Sequence, residues 1–366
     1  MHPMLRNILS LGEPSTWQDS FKLADEDAAR WLAGQKAGDF ERIYLVGCGS
    51  SLYNGMVGKS ILEHLVQVPC EAIPAYSFAA YAEPGLLGPH TPVIGISTTG
   101  GTQATCRALE FTRQHGAPTL AVTARPGSPV TLAAEGALLT GGADDTISVK
   151  TKSYVQALVA LVALALKLAE ARRVAAPGLR EEWAAQIQLA ASGSAQILAA
   201  LRPMMAELAA KYAAARKTFV FGAGPNLGTA EEASLKMVEM AKVYSEPGEI
   251  ENFLHGRLRE VDTDNPIFLI APEGRSSERI LDFLTVTHTV GAPTVVLTDK
   301  VTPGIRRLAP QVVEMPVSLD EFATPMLYIL PLYLFGFELA LARGFDPNAR
   351  TYNIVPQDVR YQEHGG

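Results

Sequence analysis

The chain has 366 residues, 48% of them hydrophobic, and a formal net charge of −7. Such a length suits about two domains of ~100–200 residues each, with ample apolar content for two packed cores. The acidic balance and the lack of a basic tract argue against nucleic-acid or membrane-surface binding as the main role.

Residues 1–40 read as an N-terminal helical extension, with Trp17, Phe21, Ala24, Ala28 and Trp31 at helical spacing predicting a helix over 15–38. Residues 41–174 read as a first α/β domain. Its expected elements are strand 42–47, helix 51–66, strands 71–75 and 92–97, helix 102–115, strand 118–123, a short strand near 136–140 and helix 152–172. Most strands are continuous apolar runs, as in a parallel sheet covered on both faces. Residues 175–214 form a helical linker that begins at Ala175-Ala176-Pro177-Gly178 and is expected to break or kink at Pro203, which lacks the N–H a helix interior needs. Residues 215–344 form a second α/β domain, and 345–366 a polar, irregular tail.

The two domains are copies. Gly47, closing Arg42-Ile43-Tyr44-Leu45-Val46-Gly47, and Gly222, closing Lys217-Thr218-Phe219-Val220-Phe221-Gly222, stand 175 residues apart. Strand 92–97 recurs as 266–271 and strand 119–123 as 294–298, at offsets of 174 and 175. Each copy ends in an apolar run, Ala157–Leu166 and Met326–Phe337, too short without interruption for the ~18 apolar residues of a membrane span, so both read as buried core helices. Cys48, Cys70 and Cys106 form no C-x-x-C pair, which fits a reducing, cytoplasmic setting, and Met1-His2-Pro3-Met4 opens no signal peptide.

Ligands in such sheets bind at strand-end turns. Ser97-Thr98-Thr99-Gly100-Gly101-Thr102 puts four hydroxyls and two glycines at a helix N-terminus, where free amides and the dipole favour phosphate. A plain threonine N-cap explains the same residues. The corresponding turn of the second copy carries Glu273 and suits an anion less. Gly47-Cys48-Gly49-Ser50-Ser51 lacks the last glycine of G-x-G-x-x-G, which is Leu52, so dinucleotide binding is weakly supported. Ser50 and Ser51 are free to cap a helix or touch a ligand, and Cys48 reads as a small buried residue.

In the second copy, Glu232, Lys236 and Glu239 fall within about 60° on one helix face. A solvated ion-pair stripe accounts for them, with Glu231 and Lys242 flanking it. His255 follows in Asn252-Phe253-Leu254-His255-Gly256. Imidazole and carboxylate together suit proton transfer beside a sugar carbonyl. The histidines show no H-x-x-x-H spacing, so no metal is expected.

These segments, with Ser148-Val149-Lys150-Thr151-Lys152-Ser153-Tyr154 and the Glu232…Lys236…Glu239…His255-Gly256 series, make the chain resemble tandem sugar isomerase (SIS) domain proteins. That family includes the isomerase half of glucosamine-6-phosphate synthase, sugar-phosphate deaminases and fructosamine-6-phosphate deglycases. Glu239 and His255 stand sixteen residues apart, as the family's catalytic glutamate and histidine do. The resemblance implies two flavodoxin-like three-layer sandwiches, each a mainly parallel sheet flanked by helices. It implies that Ser97, Thr98, Thr99 and Thr102 hold a 6-phosphate with help from Ser51, and that Ser50, Lys150 and Thr151 line the sugar site. Glu239 would move the proton between C1 and C2, His255 would open the ring from a neighbouring subunit of a homodimer, and Lys236 would line the site. The implied substrate is an amino-sugar 6-phosphate or a fructosamine 6-phosphate, handled without metal or redox cofactor. A non-catalytic phosphosugar sensor is the alternative. Asn252, Arg257 and Lys150 depart from the family's usual acidic residue, proline and serine. The tail lacks the lysine of synthase-like members; this and Gly222-Ala223-Gly224-Pro225 look more like the deglycase branch. With no glutaminase domain, and His2 where that domain needs cysteine, synthesis from glutamine by this chain alone is not expected.

Overall fold

The structure is a computed structural model that describes residues 1–142 and 147–349. The tail segment 350–366, on which part of the branch comparison rests, lies outside the described residues.

The helical extension is α1 (Pro3–Leu9) and α2 (Pro14–Leu32). The first copy then runs β1 (Ile43–Gly47), α3 (Ser50–Val66), β2 (Cys70–Pro74), α4 (Ala75–Tyr81), β3 (Val93–Ile96), α5 (Gln103–Gln114), β4 (Thr119–Thr123), α6 (Pro129–Ala133), β5 (Gly136–Leu139) and α7 (Lys152–Ala171). Helices α8 (Leu179–Ala200) and α9 (Arg202–Lys211) connect it to the second copy. That copy runs β6 (Lys217–Gly222), α10 (Asn226–Ala241), β7 (Tyr244–Glu249), α11 (Ile250–Leu254), β8 (Ile267–Ile270), α12 (Ser277–Val290), β9 (Thr294–Thr298), α13 (Pro303–Leu308), β10 (Gln311–Glu314) and α14 (Pro325–Ala342).

Both sheets are parallel and five-stranded, in the orders β2-β1-β3-β4-β5 and β7-β6-β8-β9-β10. This is the doubly wound order of flavodoxin-like folds. The repeat is visible in detail. A Cβ on Gly47 would lie 2.7 Å from the backbone of Ser51, and one on Gly222 would lie 2.5 Å from the carbonyl oxygen of Asn226. Only glycine fits so close a strand-to-helix turn. Helices α3 and α10 both end on a left-handed residue, Gln67 and Lys242, again 175 positions apart.

The helix expected over 15–38 stops at Leu32, with a short 3-10 turn at Ala37–Asp39. The linker breaks at Leu201, and Pro203 sits in the first turn of α9, where its missing N–H costs nothing. Two strands were unforeseen. β7 carries Pro247 and Gly248 and lies at a sheet edge, where proline is tolerated. β10 is four residues long.

The apolar runs ending each copy extend into full helices. By length and composition α7 and α14 are long enough to cross a membrane, which corrects the sequence-based argument. Yet 83% of each apolar stretch is buried within the fold. They lie in one apolar core shared by both copies, α7 against α3 and α14 against α10.

The copies meet where α3 crosses α10. Gly228 makes the crossing close: a Cβ there would lie 2.7 Å from Val57 Cγ2, 2.9 Å from the Tyr53 carbonyl oxygen and 3.1 Å from the Val57 amide nitrogen. Two of those atoms are backbone and cannot turn aside. Gly228→Ala should therefore destabilise the protein by about 1–3 kcal/mol, the usual cost of overpacking. Urea denaturation should show a lower midpoint, while Gly38→Ala, where a Cβ meets nothing within 4 Å, should leave it in place. Equal midpoints for the two variants would contradict the close crossing.

Candidate active site between the two copies

Strand order in the first sheet reverses between β1 and β3, and the crevice beyond their carboxyl ends is where such sheets take ligands. The Gly47–Ser51 turn leaves β1 and the Ser97–Thr102 loop leaves β3, so the two flank this crevice. The α3–α10 crossing adds a residue of the other copy. Lys236 Nζ lies 3.1 Å from Ser50 Oγ, at the start of α3.

Glu232, Lys236 and Glu239 do not form a solvated stripe. Glu232 and Lys236 are 0% and 1% exposed, because α10 is packed between α3 and α14. Lys236 Nζ lies 2.5 Å from Glu239 Oε2 and 3.4 Å from Glu232 Oε1. Tyr333 of α14 donates to Glu232 Oε1 at 3.1 Å, while Glu232 Oε2 makes no hydrogen bond among the described residues. Burial pushes the Glu232 carboxyl up to about 7, with Lys236 opposing and Glu239 reinforcing the shift. Burial alone would lower the Lys236 ammonium, but the two carboxylates outweigh it and hold it above its ordinary value. The cluster thus carries a fixed ammonium and one carboxyl poised near neutrality, with Glu239 beside them, its side chain 35% exposed.

On the loop after β3, Ser97 is buried and donates to Thr102 Oγ1 at 3.0 Å. Thr102 occupies the N-cap position of α5, but its side chain accepts no bond from the helix amides. Simple capping therefore does not account for this hydroxyl. Thr98 anchors the loop through its carbonyl, which accepts from the Thr123 hydroxyl at 3.3 Å and the Ala124 amide at 3.2 Å, and Thr99 is exposed. A loop of this kind presents hydroxyls and first-turn amides to an anion.

The remaining candidates are spread out. Ser51 is buried at the start of α3. Lys150 is half-buried beside Thr151, and Thr151 is fully buried with its hydroxyl donating to Asn7 Oδ1 at 2.7 Å. His255 has a side chain 74% exposed, with Nε2 3.0 Å from Glu251 Oε1. No hydrogen bond joins His255 to the Lys236 cluster among the described residues. Cys48 is exposed, contrary to expectation, because the chain has already left the sheet there. Partial burial of its sulfur still pushes the thiol above its ordinary value. Helical periodicity alone leaves Glu232 on a solvated face and assigns no role to Tyr333. The signals for Glu232 in the sequence are its spacing to Lys236 and its place in the series that carries the family resemblance.

The Glu232 shift has a stability consequence. The folded protein holds this proton up to about pH 7, and the unfolded chain only to about 4.5. The group's stabilising contribution is full below pH 4.5 and is lost as pH rises through about 7. Glu232→Gln cannot ionise. Wild type should lose up to roughly 3 kcal/mol relative to this variant across that window. Urea denaturation of both proteins at several pH values measures the difference, and parallel stability curves would show that Glu232 titrates as an ordinary carboxyl.

A model of the SIS domain matches residues 39–167 and again residues 211–343. The glutamine–fructose-6-phosphate aminotransferase (isomerizing) of Gloeobacter violaceus is 30% identical over 316 residues, 86% of this chain and 51% of that protein. The chain spans about half the length of the curated relatives it matches. The C-terminal domain of glucosamine-fructose-6-phosphate aminotransferase from Francisella tularensis superposes with a TM-score of 0.84 at 19% identity, covering 95% of this chain and 98% of that one. Tagatose-6-phosphate ketose/aldose isomerase from Escherichia coli superposes with a TM-score of 0.78 at 18% identity, covering 94% of each. At such identities the superpositions speak for the fold. The paired domain matches, one over each parallel sheet, establish that the chain belongs to the SIS-domain family in tandem form.

Proposed function

We propose that the chain is a phosphosugar isomerase-type enzyme acting on an amino-sugar 6-phosphate or a fructosamine 6-phosphate. Its chemistry is proton transfer between C1 and C2, coupled to isomerisation, deamination or deglycation. The observation that carries this reading is the buried Glu232–Lys236–Glu239 cluster, which touches Ser50 in the turn after β1, the strand beside the one from which the hydroxyl loop leaves. Relatives whose names specify fructose 6-phosphate and tagatose 6-phosphate support the substrate class.

Ser97, Thr98, Thr99 and Thr102, with the first amides of α5, hold the phosphate; Ser50, Ser51, Lys150 and Thr151 remain candidates for the sugar. Glu239, the half-buried carboxylate of the cluster, takes the proton from one carbon and returns it to the next. Lys236 stays charged beside it and stabilises the negative charge that develops on the sugar oxygen. Glu232 compensates the ammonium from behind. His255 opens the ring. Its exposure and its separation from the cluster within one chain favour delivery from a neighbouring subunit, so the working unit is a homodimer. A phosphosugar sensor without chemistry is the competing reading.

Glu239→Gln keeps size and hydrogen bonding but cannot accept a C–H proton, and loss of a positioned general base typically costs ~10²–10⁴-fold in rate. Wild type turning over a fructosamine 6-phosphate in heavy water should incorporate deuterium at C1 or C2, and Glu239→Gln should not. Wild-type binding without any exchange, across a panel of 6-phosphosugars and their amine adducts, would point to the sensor instead.

The shared site is tested separately. Glu239→Gln and His255→Ala chains, each inactive alone, should regain activity when dissociated and reassociated together. Verified mixed dimers that stay inactive would mean that His255 does not complete a neighbour's site.

A further inference from the structure

The second sheet reverses its strand order between β6 and β8 as the first does between β1 and β3. Beyond those strand ends lies a cavity of about 540 Å³, bounded by the turn after β6, the loop after β8 and one face of α3. That volume is in the range of small-molecule sites. The helix caps at Gln67 and Lys242 put the two copies in register, so His64 faces this cavity from the position that Glu239 holds toward the first crevice. Where the first crevice has Lys236 and Glu232, α3 has the buried apolar residues Ile61 and Val57. No charged relay backs His64, so the position suits binding and not proton transfer.

Three amides of the loop after β8 that could serve a phosphate are already engaged. The Glu273 amide donates to Asp299 Oδ1 at 2.8 Å, and the Arg275 amide to Glu321 Oε2 at 3.2 Å. The Gly274 amide donates to Ser277 Oγ at 3.1 Å. Glu63 also lines the cavity but is paired with Lys59 and accepts from the Cys70 amide, and two groups of opposite charge remain open toward it. The Arg275 guanidinium rests over the Phe322 ring, 5.1 Å from its centroid, and has no carboxylate partner among the described residues. Glu321 Oε1 likewise has no hydrogen-bond or ion-pair partner among them. The His64 ring stacks on Phe322 with centroids 4.0 Å apart and planes 3° from parallel. One aromatic ring therefore steadies both the cation and the imidazole before any ligand arrives, which lowers the ordering cost of binding.

We propose that this second crevice binds a zwitterionic α-amino acid, its carboxylate on Arg275 and its ammonium on Glu321, without chemical change. A dianionic phosphate would meet one guanidinium and an open carboxylate. A zwitterion matches both charges. The assignment does not depend on the first crevice being catalytic.

The test is ligand-observed NMR and titration calorimetry on the full chain with each of the twenty common amino acids at up to 10 mM. N-acetyl derivatives, amino-acid amides and inorganic phosphate serve as controls. At least one amino acid should bind at one site per chain. Arg275→Ala and Glu321→Gln should each weaken it tenfold or more, as should masking either end of the ligand. Arg275 is exposed, so its variant keeps the fold even if the Glu321 variant loosens the loop. Binding should persist in Thr99→Val/Thr102→Val, the variant aimed at phosphosugar binding in the first crevice. Failure of phosphosugar binding in wild type would then count against the first crevice alone. The proposal is overturned if no amino acid binds, if masked ligands or phosphate bind as well as the free zwitterion, or if Arg275→Ala leaves affinity unchanged.

Discussion

A lysine ammonium buried between two carboxylates at the crossing of α3 and α10 is the constraint on which the rest of the molecule turns. Taking these charges out of water is expensive, and a well-packed apolar replacement is often neutral or better for stability by about 1–4 kcal/mol. The chain contains that replacement. At the equivalent positions of α3, in the same fold and at the same crossing, stand Val57 and Ile61, both buried. The architecture does not need charge there. Packing therefore does not explain Glu232 and Lys236, while Gly228 is explained by the closeness that lets a residue of one copy reach the turn of the other.

The same comparison explains how much of the molecule was legible in the sequence. The sheets were readable because parallel strands covered on both faces are continuous apolar runs, and because glycines at Gly47 and Gly222 mark the same tight turn. The duplication also marks β7: moving β2 by 175 residues lands on Ser245–Glu249, within the strand that proline and glycine hide. What could not be read was which side of α10 meets solvent. Helical periodicity places Glu232, Lys236 and Glu239 on one face, but burial of that face depends on a helix from the other copy and on Tyr333, about a hundred residues away. Periodicity within one helix carries no information about a partner so distant in sequence. Thr102 is the converse case. The sequence put it correctly at a helix start, yet only the geometry shows its hydroxyl turned to Ser97 instead of the helix amides.

In the reading proposed above, duplication separates binding from chemistry between the two crevices. Both lie at a reversal of strand order, both are bounded by a glycine turn and a loop at a helix start, and both are faced by a helix from the opposite copy. They differ in where charge has been placed. In the first, hydroxyls stand on the loop and charge is buried in the opposing helix, which leaves the loop free for an anion and gives Glu239 a partner. In the second, carboxylates of the chain's own Asp299 and Glu321 occupy the loop amides, and the opposing helix is apolar behind His64. An internal carboxylate on a loop amide satisfies the donor that an external phosphate would otherwise claim. The carboxylates that occupy amides of the second loop leave Arg275 and one oxygen of Glu321 unmatched at the cavity, so the selectivity proposed there would follow from which groups the fold has already paired.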